Sequence, residues 1–112
     1  MLSARRRELR MWGTIARMRV RSDVAETYLL AQMDAFNKER LAGMVSVTFY
    51  RSDSDPRELW MIAMFATKEA YRKNAESRAQ HVTYLTMRAC LERDPEWHDV
   101  GELKSYFGGP PT

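Results

Sequence analysis

Cysteine and long apolar runs are scarce in this sequence, and each scarcity excludes a class of protein. The one cysteine, Cys90, cannot form a disulfide within the chain, and its place in a helical pattern favours a small buried hydrophobe over a nucleophile. The longest apolar run, Leu59–Ala66, is far shorter than the roughly 20 residues that cross a bilayer. No apolar segment follows the basic N-terminus, as one would in a secretory signal. We therefore expect a cytoplasmic protein with no membrane partner.

Common catalytic motifs are missing as well. The sequence has no glycine-rich phosphate loop, no Ser-His-Asp set and no CxxC pair, which argues against a nucleotide-dependent enzyme. Four ionisable residues cluster near the C-terminus, but their spacing matches no standard metal site: Asp94, Glu96, His98 and Asp99. Turn-forming acids between a helix and a strand are the simpler interpretation. We expect neither a metal nor a cofactor.

Positive charge is confined to the start of the chain. Residues 1–10 hold four arginines and one glutamate, a net charge of +3, and the whole chain is also +3, so residues 11–112 sum to zero. A nucleic-acid surface would instead gather lysine and arginine on one folded patch. We expect no nucleic-acid partner, and a flexible basic tail at 1–10, one folded domain at 11–107 and a Gly/Pro tail at 108–112.

Hydrophobic periodicity predicts six elements in the order strand, helix, strand, strand, helix, strand. Strands are predicted at 11–20, 44–51, 58–66 and 97–107, and helical stretches at 24–41 and from 67 to 93 with a bend near 76–77. Ser22 or Asp23 is the expected N-cap of the first helix and Gly43 its end, while Thr67 is the expected cap of the second helix. This order is the ferredoxin-like βαββαβ arrangement, an α+β fold with helices on one face of an antiparallel sheet.

The same periodicity predicts which side chains face the core. The first strand should bury Trp12, Thr14, Ala16, Met18 and Val20. In the second strand, Val45, Val47 and Phe49 should share a face. The first helix should present one stripe, made of Ala25, Tyr28, Leu29, Gln32, Met33 and Phe36. The second helical run has Val82, Leu85, Ala89 and Glu92 at helical spacing.

The third strand is apolar on both faces. Leu59, Met61, Ala63 and Phe65 alternate with Trp60, Ile62, Met64 and Ala66. A sheet with one face in water should instead alternate apolar and polar residues. We therefore expect the face opposite the helices to pack against a second copy, forming a homodimer.

The segment Phe65-Ala66-Thr67-Lys68-Glu69-Ala70-Tyr71-Arg72-Lys73-Asn74 resembles a stretch of the antibiotic biosynthesis monooxygenase (ABM) domain family. Val45–Tyr50 after Gly43 is similar to the second strand of that family, and the layout agrees over about residues 11–106. The resemblance implies a dimeric α/β barrel with a pocket between the sheet and the helices of each subunit. Some members oxygenate polyketide anthrones to quinones without metal or flavin, and a related subgroup degrades haem.

The resemblance implies roles for particular residues. Tyr71 would point into the pocket and hydrogen-bond a phenol or carbonyl. The anthrone oxygenases have tryptophan where this chain has Phe65, and asparagine where it has Met61. The haem degraders use an asparagine, a tryptophan and a histidine. This chain has Ala16 and Asn74 at the first two positions, and His81 stands at a different spacing from the third, which disfavours haem degradation.

Two functions are consistent with these residues. The first is a cofactor-independent monooxygenase acting on a planar aromatic or quinone-type molecule, with His81 as base and Tyr71 stabilising charge on oxygen. The second is a dimeric small-molecule-binding or accessory domain without catalysis. His81 has the alternative of a surface histidine, and Tyr71 that of a tyrosine packed on the sheet. The predicted substrate-binding residues are Phe65, Asn74, Trp60, Met61 and Trp97, with the tryptophans alternatively serving as core.

Overall fold

The structure is a computed structural model that describes residues 10–38, 43–76 and 84–109. It contains four strands and two helices with complete bounds, β1 Trp12–Arg19, α1 Glu26–Lys38, β2 Met44–Arg51, β3 Glu58–Phe65, α2 Lys68–Glu76 and β4 Glu96–Gly101. Residues 84–88 are also helical. The chain therefore has the predicted α+β, ferredoxin-like βαββαβ order.

The strands form one antiparallel sheet in the order β2-β3-β1-β4. Tight turn chemistry joins β2 to β3, because Arg57 N–H donates to the Asp55 carboxylate at 3.0 Å and Ser52 N–H donates to the Glu58 carbonyl at 2.9 Å. Beyond β1, an isolated bridge pairs Val20 with Leu91 and ties the end of this central strand to the residues after the 84–88 helix.

The core lies between the sheet and the helices. β1 contributes Thr14, Ala16, Met18 and Val20, as its alternation predicted, and β3 contributes every second residue from Leu59 to Phe65. Leu29 and Phe36 of α1 cover this face. Met87, Cys90 and Leu91 belong to the same buried cluster. Cys90 is only 1% exposed, so its predicted role as a buried hydrophobe is confirmed.

Five packing predictions were wrong, because Val45, Tyr28, Leu85, Ala25 and Ala89 are all exposed. An irregularity between Met44 and Ser46 in the β2–β3 pairing turns Val45 outward, and Met44 packs against the core instead. Tyr28 lies at the edge of the α1 stripe and is 52% exposed. Leu85 is equally exposed, because the 84–88 helix buries Met87 rather than Leu85; Val82 lies outside the described residues.

Several element bounds also differ from the predictions. α1 begins at Glu26 because the Asp23 carboxylate is held by the Arg21 guanidinium at 2.6 and 2.9 Å instead of capping the helix. β4 ends at Gly101, and Leu103, Tyr106 and Phe107 beyond it are exposed. The predicted bend at 76–77 falls partly outside the described residues.

The sheet face opposite the helices carries apolar side chains that this single chain leaves half-buried. Ile15 of β1 pairs with Ile62 of β3, and Trp60 and Met64 flank Ile62 on the same face. We call this set, Ile15, Trp60, Ile62 and Met64, the open-face patch. Arg17 borders it, lying 5.7 Å from the Trp60 ring and paired with Glu58 at 3.0 Å.

Candidate functional site

A cleft of about 440 Å³ opens between α2 and the helix-facing side of β1 and β4. Its lining is mostly apolar in surface, with ionisable groups at intervals: Trp12, Gly13, Lys68, Tyr71, Arg72, Ala75, Glu76 and Asp99. Small-molecule sites typically combine an apolar wall with a few fixed polar groups in a volume of roughly 300–1,000 Å³. The cleft fits that description.

Sheet pairing places the lining residue Asp99 beside a residue from a distant part of the sequence, Thr14. Thr14 of β1 pairs with Asp99 of β4, so the two side chains leave the sheet on the same face. One row along, Trp12 pairs with Gly101. A Cβ at position 101 would lie 2.8 Å from the Trp12 ring, so the missing side chain of Gly101 leaves room for the indole.

The α2 helix positions Tyr71 over this row. Thr67 caps the helix, as predicted, and its hydroxyl accepts a hydrogen bond from the Ala70 N–H at 3.0 Å. Tyr71 follows in the first turn and packs edge-on against Phe65, with ring centroids 5.6 Å apart. Phe65 is 1% exposed, so it forms a fixed support beneath the tyrosine.

The Tyr71 hydroxyl donates a hydrogen bond to the Asp99 carboxylate. Burial and this carboxylate together raise the pKa of Tyr71 to about 12, while the Thr14 hydroxyl acts weakly in the opposite direction. Tyr71 is therefore a neutral phenol at physiological pH. It holds one edge of the Asp99 carboxylate, and Asp99 itself is an exposed residue of the cleft lining.

Two cations stand at the rim on the same helix. Lys68 lies with its ammonium 4.6 Å from the centre of the Trp12 ring, a cation–π distance. Arg72 is one helical turn further on and also lines the cleft, as does Glu76 after another turn. The rim is thus charged and the interior aromatic.

The structure places the predicted site residues in different surroundings. Tyr71 lines the cleft, and Phe65 supports it from below. Met61 is 4% exposed within the core. Trp97 lies on the cleft's side of the sheet but packs at a tilt against Tyr84, with ring centroids 5.9 Å apart. Trp60 is corrected, because it belongs to the open-face patch, on the other side of the sheet from the cleft.

Asn74 lies among the described residues, and His81 does not. Asn74 lies on α2 one turn after Tyr71, and its Oδ1 is buried with no hydrogen-bond partner among the residues the structure describes. His81, the predicted base, lies outside the described residues.

The sequence did not single out Trp12 or Asp99 as site residues. Asp99 was grouped with the turn-forming acids although the predicted strand at 97–107 contained it, and β4 does include it. The signal that could have found Asp99 is the period of two along the strand. Trp97 and Asp99 face the helices, and His98 between them faces the other side. His98 instead pairs with Glu96 at 2.9 Å.

Two further findings concern metals and membranes. Over residues 10–38, 43–76 and 84–109, no group of three or more histidine, cysteine, aspartate or glutamate side chains could hold a metal ion. Within the same ranges, no helix has the length and apolar character that crossing a bilayer requires.

Solved structures share this fold. No family model matches the sequence, and no curated protein matches it. SnoaB from Streptomyces nogalater, a cofactor-independent oxygenase solved as an asparagine-to-alanine variant, superposes with a TM-score of 0.72 at 15% identity, covering 87% of this chain and 96% of its own. A protein from Bordetella bronchiseptica named as an antibiotic biosynthesis monooxygenase has a TM-score of 0.68 at 19% identity, covering 87% and 99%. A conserved protein from Methanosarcina mazei reaches 0.72 at 12% identity, covering 86% and 96%.

These structures confirm, at the level of the fold, the resemblance drawn from residues 65–74. The chain has the ferredoxin-like α+β fold of the antibiotic biosynthesis monooxygenases.

Proposed function

We propose that this protein is a monooxygenase that binds a planar aromatic molecule in the cleft and oxygenates it with dioxygen, without a metal or organic cofactor. The observation that carries the proposal is the neutral Tyr71 hydroxyl, which donates to the exposed Asp99 carboxylate in a cleft that Trp12 also lines. The cofactor-independent oxygenase among the fold relatives supports it.

The reaction that suits this cleft begins with loss of an acidic proton from the substrate. The resulting carbanion or enolate can react directly with dioxygen, because its delocalised charge makes it a good electron donor. One oxygen atom becomes a ring carbonyl, and the other leaves as water with the two hydrogens the substrate loses. A polar donor beside the developing negative charge stabilises it.

A binding domain without catalysis is the second candidate, and Met61 favours it. The anthrone oxygenases carry asparagine at this position. Here a thioether lies in the core and cannot supply a comparable hydrogen bond. Phe65 likewise has no polar atom to offer where those enzymes have tryptophan. In this alternative the cleft holds a hydrophobic metabolite, and Tyr71 and Asp99 orient it.

Oxygen uptake tests the first candidate against the second. The purified protein is supplied with a panel of anthrones and hydroquinones in an oxygen-electrode cell, with Tyr71→Phe as the comparison and Tyr28→Phe as the matched control on exposed α1. Uptake above the blank that falls at least about tenfold in Tyr71→Phe, but not in Tyr28→Phe, supports the oxygenase. Ligand binding with no uptake by the wild type supports the binding domain.

We also propose that two copies associate through the open-face patch. Ile15, Trp60, Ile62 and Met64 form a contiguous apolar surface across β1 and β3 that a lone subunit leaves in contact with water. A cytoplasmic location is the setting we propose for the dimer, since Cys90 is a free thiol.

A further inference from the structure

We propose that Asp99 determines which ligands the cleft accepts: its carboxylate accepts a hydrogen bond from a ligand hydroxyl, so that phenols and enols bind in preference to their ethers. The proposal rests on the assignment of the cleft as the ligand site in the function proposed above. The proposal adds the class of ligand, and it names Asp99 as the residue that distinguishes this class.

The position of Asp99 is fixed from two directions. Its backbone belongs to β4 and pairs with Thr14 of the central strand β1, so the side chain must leave the sheet toward α2. The Tyr71 hydroxyl then holds one carboxylate oxygen, Oδ1. A side chain anchored both by strand pairing and by a hydrogen bond loses little conformational entropy when a ligand binds.

Asp99 still has acceptor capacity. An ionised carboxylate has two oxygens and about four lone-pair sites. Within the part of the chain that the structure describes, Tyr71 is the one hydrogen-bond partner seen for the Asp99 carboxylate, and Asp99 lines the cleft. The remaining oxygen is thus available to a donor bound there. A hydroxyl can supply that donor, whereas a methoxy group or a ring carbonyl cannot.

Other acidic groups are less suited to this role. Glu96 lies on the opposite face of the sheet, where it pairs with Arg17 of β1 across the strands and with the His98 ring at 2.9 Å. Glu76 lines the cleft but stands in the last turn of α2, away from the Thr14–Asp99 row. Asp99 is the carboxylate that accepts the hydrogen bond from the Tyr71 hydroxyl.

The same contact would start the proposed reaction. The ligand O–H bond breaks, its proton passes to Asp99, and the ligand is left as a phenolate or enolate. Once Asp99 is a neutral acid, it no longer holds the Tyr71 proton as strongly, and that hydroxyl can turn to donate to the new oxyanion. No electron transfer occurs in this step, so proton and charge balance between ligand and carboxylate.

Calorimetric titration with two matched probes tests the inference on the full chain. The probes are 2,6-dihydroxyanthraquinone and 2,6-dimethoxyanthraquinone, which differ in having or lacking a hydroxyl donor that is not bonded within the molecule. A charge-assisted hydrogen bond predicts that the wild type binds the hydroxylated probe about tenfold more tightly or better. Asp99→Asn should reduce that preference to roughly threefold or less, because a neutral acceptor is about half as strong. Asp53→Asn, at an exposed turn, should leave the preference unchanged.

The outcomes separate this inference from the proposed function. Equal preference in the wild type and in Asp99→Asn overturns the role of Asp99, even if the wild type consumes oxygen. Preference that depends on Asp99 supports the inference, even if no oxygen is consumed and the oxygenase proposal fails alone. Failure of the wild type to bind either probe overturns both. If Asp99→Asn does not fold, Asp99→Ser removes the same carboxylate and is judged by the same criterion.

Discussion

Tyr71 is a residue at which burial and a neighbouring carboxylate act in the same direction. Both raise its pKa, from an ordinary 10.0 to about 12. A group whose pKa is higher in the folded than in the unfolded state binds its proton more tightly when folded. Its contribution to stability is therefore complete below about pH 10 and disappears as the pH rises toward 12.

Tyr71→Phe should make the protein less sensitive to alkali. Between pH 10 and 12 the free energy of unfolding of the wild type should fall more steeply than that of the variant, because phenylalanine has no proton to lose. Urea unfolding at a series of pH values measures both slopes. The lysines and the remaining tyrosines contribute equally to the slope of each protein. Parallel slopes would show that neither burial nor the Asp99 contact raises the pKa of Tyr71.

Gly13 is a second residue whose surroundings matter, because they leave no space for a side chain. A Cβ at this position would lie 1.8 Å from the Ala63 carbonyl oxygen and 2.9 Å from its carbon, in the backbone of the paired strand. Gly13→Ala should therefore force β1 and β3 apart and destabilise the protein by about 1–3 kcal/mol or more. Thermal unfolding measures the loss.

Gly108 is the matched control for Gly13, since nothing lies within 4 Å of a Cβ built there. Gly108→Ala should leave the melting temperature within about 1 °C of the wild type. If Gly13→Ala has the same melting temperature as Gly108→Ala, then β1 and β3 tolerate a side chain at this point of their pairing.

At the scale of elements, α2 depends on its cap. The Thr67 hydroxyl accepts from the Ala70 N–H at 3.0 Å, one residue before Tyr71. Thr67→Ala should cost about 1 kcal/mol in urea unfolding and should weaken binding of an aromatic probe, because the first turn carries the tyrosine. Thr27→Ala, at an exposed position in α1, is the control and should change neither quantity by more than a few tenths of that cost.

The same scale shows what the sequence could predict. Hydrophobic periodicity was sufficient for the element order, because the period of two along β1 and the helical spacing along α1 are distinct patterns. The bulge at Val45 was not predictable, since the valine fits either face by hydrophobicity alone. The Tyr71–Asp99 pair was half predictable. Tyr71 stands in the segment with the family resemblance, but Asp99 reaches it only through the pairing of β4 with β1, 28 residues away in sequence.

At the scale of the whole molecule, the two sheet faces have separate uses. The helix-facing side holds the core and the cleft, while the other side exposes the open-face patch. We expect Ile62→Lys to place a charge at the centre of that patch without touching the core, since Ile62 pairs with Ile15 on the same open side. The variant should retain its fold by circular dichroism.

Light scattering measures the consequence. The wild type should have about twice the chain mass of 13.1 kDa, and Ile62→Lys should have the mass of a single chain. Tyr28→Lys, at an exposed site on α1, should remain at the dimer mass. A wild type of single-chain mass at micromolar concentration would refute the dimer.

The distribution of the three tryptophans has a spectroscopic consequence. Trp12 lines the cleft beneath Lys68, Trp60 belongs to the open-face patch, and Trp97 packs against Tyr84 at the far strand. Variants that keep one indole each would emit fluorescence from one region at a time. Occupation of the cleft would then be followed at Trp12 in one variant and subunit association at Trp60 in another, without an added dye.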